Sequence, residues 1–204
     1  MVPTERRKTM TARRLLSVIA VIALLTALGG CVTLSMNPLF ENDDLVIDPL
    51  LQGLWGDPDD PDSDTWQFTP RNDGSYELII REENTLRIDP ARDGVFTAHL
   101  LTIGDDYYLD LFPSEPVQGS DFFKCHIVPA HSFWHVALEG NVLVLRALDG
   151  GDLDRAINEG RIVIDHVKRD DVGVLTATTP DLQRLVSEHL EEIFDEGEQI
   201  MRLR

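Results

Sequence analysis

The sequence predicts a mainly β domain: an antiparallel up-and-down barrel with one C-terminal α-helix, a β-sandwich being the alternative. Three observations predict it. Short apolar runs, several of them alternating, recur at hairpin spacing between residues 53 and 178, separated by turns rich in Gly, Asp and Asn. A longer segment, 179–196, carries an apolar stripe with helical period. The chain beyond its N-terminal leader is also long enough for one domain with a substantial core.

The leader opens the chain. Arg6, Arg7, Lys8, Arg13 and Arg14 stand against the single acid Glu5, and Leu15 to Leu28 is then apolar apart from Ser17 and Thr26. That run suits a signal-peptide core and is short of the roughly 20 residues a membrane span needs. Leu28-Gly29-Gly30-Cys31 ends it. Leu at −3, two small residues and Cys at +1 resemble the lipobox of bacterial lipoproteins. The resemblance implies cleavage between Gly30 and Cys31, diacylglyceryl transfer to the Cys31 thiol, and usually acylation of the new amino terminus. A plain membrane anchor or an ordinary secretory signal is the bland alternative. Ala12-Arg13-Arg14-Leu15-Leu16 also resembles a twin-arginine signal, so either export route stays open.

The whole chain has a net charge of −18, and its leader takes five basic residues but one acid, so residues 31–204 are more acidic still. Such a surface repels nucleic acid phosphates and anionic headgroups. Membrane attachment is therefore expected through acyl chains such as palmitate, each buried methylene adding about 0.8 kcal/mol. The chain has two cysteines. With Cys31 acylated, Cys125 has no intramolecular partner, and its apolar strand-like setting predicts a buried, inert thiol.

Residues 31–48 read as anchor and tether, and 49–204 as a single domain. Asp48-Pro49-Leu50-Leu51-Gln52 suits one turn of helix, and Gly53-Leu54-Trp55-Gly56 opens the first strand. Strands are then expected at Thr65–Thr69, Ser75–Arg81, Thr85–Ile88, Val95–Ile103, Asp106–Phe112, Phe122–Ile127, His131–Leu138, Asn141–Leu148, Arg161–Val167 and Val172–Thr178. A short helix is expected at Gly151–Asn158. Thr179-Pro180-Asp181 opens the longer one with a capping hydroxyl, a first-turn proline and an acid at the positive dipole end. Its apolar face is Leu182, Leu185, Val186, Leu190, Ile193 and Phe194.

Gly53-x-Trp55 after a short turn resembles the lipocalin signature, which implies that Gly53 and Trp55 form the plug of a closed barrel end. Asn37-Pro38-Leu39, Gly-x-Trp and Tyr108-Leu109-Asp110-Leu111-Phe112-Pro113 together resemble a group of uncharacterised bacterial lipoproteins. That resemblance implies no activity.

Candidate chemistry is sparse. Asp60-x-Asp62-x-Asp64 starts a calcium-loop pattern, but Thr65 stands where glycine is required and Arg71 where the bidentate glutamate belongs, so a solvated acidic loop is favoured. His131 and His135, four apart on a strand, lie about 13 Å apart, too far to share an ion without a bend, and His126 lies beyond a proline turn. No metal and no cofactor are expected. Tyr108 and Asp110 share one strand face and are the candidate ligand-binding residues, a polar handle if that face lines a cavity. An inward Tyr107, Leu109 and Leu111 would instead make a solid core. The sequence holds no Gly-x-Ser-x-Gly elbow, His-Glu-x-x-His, phosphate loop or dinucleotide fingerprint, so no catalytic residue is expected.

The functional expectation is a non-catalytic cell-envelope lipoprotein binding a small apolar ligand inside the barrel. A filled barrel acting as an envelope scaffold or protein-interaction module is the alternative, and an enzyme of unknown class the least favoured. Val32 follows Cys31 where enteric inner-membrane retention typically uses Asp. In a cell with two membranes this favours the periplasmic face of the outer membrane.

Overall fold

A computed structural model describes residues 33–60, 62–81, 93–114, 126–169, 172–194 and 199–204. Gly30, Cys31 and the rest of the leader lie outside the described residues, as do the expected strand Thr85–Ile88 and Cys125. His126 and Ile127, the described end of the strand expected at Phe122–Ile127, are not strand.

The described residues hold one eleven-stranded sheet. Seven strands follow one another as a meander: β2 (Gly53–Gly56), β3 (Thr65–Pro70), β4 (Tyr76–Arg81), β5 (Gly94–Ile103), β6 (Asp106–Pro113), β7 (His131–Glu139) and β8 (Val142–Ala147). The last strand, β11 (Gln199–Leu203), pairs antiparallel with both β8 and β2. That pairing closes an eight-stranded antiparallel barrel, a lipocalin-like architecture, and leaves none of the eight with an open edge. β11 had no sequence signal, because Gln199-Ile200-Met201-Arg202-Leu203 offers one buried side chain, Met201.

Two helices and two of the three strands of a flap lie between β8 and β11. Helix α1 (Gly150–Asn158) is capped by Asp149, whose Oδ1 accepts the Asp152 amide at 2.8 Å. Helix α2 (Thr179–Ile193) buries Leu182, Leu185, Val186 and Ile193. Its N-cap is Thr178, and the Thr179 hydroxyl, expected to cap, donates instead to the Pro38 carbonyl at 2.8 Å.

The flap is β1 (Leu34–Ser35), β10 (Val172–Leu175) and β9 (His166–Arg169), attached where β1 pairs with the start of β7. β9 begins later than the strand expected at Arg161–Val167. The amides of Arg161 and Ile162 are taken by the Ala156 carbonyl at the end of α1, so no strand partner can use them. β10 stops before Thr178, and beyond its end the Ala177 carbonyl accepts the Asn37 side chain at 2.8 Å.

Two apolar cores result. One fills the barrel, around Trp55, Trp66, Phe68, Tyr76, Leu100 and Leu145. The other lies between the outer wall of β5, β6 and β7 and the two helices. The segment expected to be a tether is built into this second core. Leu39 is fully buried, the Val46 amide donates to the Leu100 carbonyl at 2.9 Å, and the compact unit runs from Val32.

Candidate functional site

Register decides which side chains of the β5–β6–β7 wall meet. Leu109 and Leu111 face the barrel interior with Trp55, Leu100, Leu143 and Leu145, an arrangement that goes with a solid core. Tyr107, at the barrel end, is 39% exposed. Tyr108 and Asp110 face outward, beneath the 33–48 segment and α2. Neither lines the barrel, so they are not the polar handle of an interior cavity. Alternation could not choose between the faces, because both sides of this wall are buried.

The interior is aromatic. Trp66 meets Trp134 edge-on with ring centroids 5.2 Å apart, and Phe68 meets Tyr76 in the same way at 6.2 Å. Trp55 is fully buried and its indole N–H donates to the Leu51 carbonyl at 2.9 Å. The Tyr76 hydroxyl accepts the Asp48 amide at 2.9 Å and lies 3.0 Å from its carbonyl. Together these two bonds tie the 3-10 turn Pro49–Leu51 to the barrel end from which Gly53 and Trp55 begin the first barrel strand. Gly53 takes a φ of 141°, which other residues rarely adopt, and a Cβ there would displace the Leu203 side chain of the closing strand. The Trp134 indole N–H is buried, faces inward and has no partner.

The outer wall holds the polar cluster. Asp110 is fully buried; its Oδ2 accepts the Leu39 amide at 2.7 Å and its Oδ1 lies 2.6 Å from His131 Nδ1. His99 pairs with Asp110 in the β5–β6 register, and Phe40 packs on the His99 ring at 4.2 Å. Burial holds the His99 pKa below its ordinary value, against the opposing pull of Asp110 and Asp73. Tyr108 sits between His135 and Phe194, at 5.5 and 5.9 Å, with its hydroxyl unpartnered. Burial first, and the nearby Asp106 second, push that hydroxyl well above the usual tyrosine range. His135 Nε2 lies 3.2 Å from Asp106 Oδ1.

His131 and His135 are thus engaged by two different carboxyl groups, and His126 is exposed. Among the described residues no group of three or more His, Cys, Asp or Glu is placed to hold a metal ion. The acidic loop has its own internal order: Asp57 and Asp60 accept the amides of Asp59 and Asp62 at 2.8 and 3.0 Å. Arg204 reaches back to donate to the carbonyls of Asp57 and Asp60 and to the Ser63 hydroxyl, which puts a cation in the loop. A small cleft between α1 and the flap is lined by Thr33, Leu153, Asp154, Ile157, His166 and Leu175.

Sequence reasoning missed the link between Leu39 and Asp110. Its signal was present, since Asn37-Pro38-Leu39 and the 108–113 stretch are two of the three features quoted together above. Each proves to hold the other. Comparison with family models, with curated proteins and with solved structures finds no match.

Proposed function

We propose that this chain is a lipid-anchored envelope protein without catalytic activity, its barrel a packed scaffold that presents an outer surface to an envelope protein. The packed interior carries the reading. Leu109, Leu111, Trp55, Trp66 and Leu145 occupy the space a ligand would need, and the one polar pair singled out beforehand, Tyr108 and Asp110, serves the outer wall. Support for the envelope comes from Leu28-Gly29-Gly30-Cys31 behind a basic leader, and Val32 favours the outer membrane in a cell that has one. The strong acidity argues against nucleic acid as a partner.

A second reading, a small apolar ligand inside the barrel, is favoured by one observation. The inward Trp134 N–H is buried without an acceptor beside Trp66, and an acceptor group on a ligand would satisfy it. One experiment separates the two. Full-length protein purified from its own host is examined by native mass spectrometry, and in-cell crosslinking identifies neighbours. The scaffold reading expects a mass raised by acyl groups alone and one reproducible crosslinked envelope protein. A near-stoichiometric small apolar molecule, released by organic extraction, overturns it in favour of the second.

A further inference from the structure

We propose that the outward face of the β1–β10–β9 flap rests on the lipid bilayer that carries the anchor; the inference depends on the lipid-anchor reading above. The alternation of the three strands defines that face. Thr33 and Ser35 are buried, so Leu34 and Met36 turn the other way, and Met36 is 44% exposed. On the next strand, Leu175 enters the helix-side core, and Val174, its neighbour, pairs with both Leu34 and Val167. In the stretch leading into the third, Ile162 and Ile164 pack inward, and on the strand itself Lys168 pairs with Asp154 of α1, so Val163 and Val167 face out. Val163 is 91% exposed and Val167 59%, the former the most exposed large apolar side chain among the described residues.

Leu34, Met36, Val163, Val167 and Val174 therefore make one apolar face on a chain whose net charge is −18. Such a face on an otherwise strongly acidic protein marks a docking surface. What covers it is decided by where the chain enters. β1 begins at Leu34, three residues after Cys31, so at about 3.3 Å per residue the flap cannot stand more than about 10 Å from an acylated Cys31. A bilayer holding those acyl chains is therefore within reach of this face before any protein partner is.

The test uses the full chain purified from its host and reconstituted in vesicles of phosphatidylethanolamine and phosphatidylglycerol. In a Cys125→Ser background, Val163→Cys, Val167→Cys and Thr69→Cys each carry an environment-sensitive fluorophore. Thr69 is exposed on β3, across the barrel from β7, and is the solvent reference. Intact mass is measured on each sample. The proposal expects acylated chains in which the labels at 163 and 167 emit to the blue and resist aqueous iodide several-fold better than the label at 69. Acylated chains whose three labels are quenched alike overturn it, with the anchor intact. Chains without acyl mass overturn the anchor reading and this inference with it. Val163 has almost no contacts to lose, so its variant keeps the test sound if Val167→Cys misfolds.

Discussion

The Leu39 amide donates to Asp110 Oδ2 at 2.7 Å across 71 residues of sequence, and both residues are fully buried. This bond pins the segment that runs between β1 and the first barrel strand to the outer barrel wall. His131 approaches the other oxygen, and the Gln183 side chain of α2 donates to the Leu39 carbonyl at 3.0 Å. One short motif thus joins the barrel wall and the long helix.

Asp110→Ala should lower stability by about 3–5 kcal/mol, because it strands a buried amide and leaves His131 without its partner. Urea unfolding measures the loss. Hydrogen exchange should show the Leu39 amide losing protection before the amides of β3 and β4. An unchanged midpoint would remove Asp110 as the clamp.

Trp55→Ala should cost about 3–5 kcal/mol through lost burial and the cavity it leaves. Its indole bond to Leu51 goes too, so the 3-10 turn at the barrel end should exchange faster. A denaturation midpoint equal to that of the parent chain would deny Trp55 the end-plugging role.

Stability should fall on acidification through His99. Burial holds its folded pKa below the ordinary 6.5, so the unfolded chain binds the proton more readily. The contribution is complete above about pH 6.5 and is lost as pH drops towards the folded value. His99→Phe should flatten the slope of the melting temperature between about pH 7 and pH 5. An identical slope in that variant would place the acid sensitivity elsewhere.

Removing residues 199–204 should open the barrel. β2 and β8 would each lose a neighbour, and unpaired edges of this kind template association. Light scattering should report larger aggregates for the truncated chain than for the full one. A soluble truncated protein with native β content would show that closure is dispensable.

Cys31→Ser should abolish acylation and leave the leader attached. Metabolic labelling with palmitate reads the first effect and chain mass the second. Label retained by the variant would refute the lipobox reading.

Most of the meander was legible locally. Gly104 takes a positive φ of 65° between β5 and β6, and a short glycine turn between apolar runs announces itself. The short helix and the stripe Leu182, Leu185, Val186 and Ile193 were equally plain, because helical period survives in one segment. Composition, the basic leader and Leu28-Gly29-Gly30-Cys31 likewise need no fold to be read. What the sequence alone could not decide were relations between distant segments. β1 and β11 are short strands whose partners lie far away, so their identity comes from the neighbours that pair with them. The inward or outward sense of Tyr108 and Asp110 was undecided for the same reason. A strand with period two and two buried faces presents both parities as core, and only the closing of the barrel and the packing of Leu39 and α2 outside it assigns Leu109 to one side and Asp110 to the other.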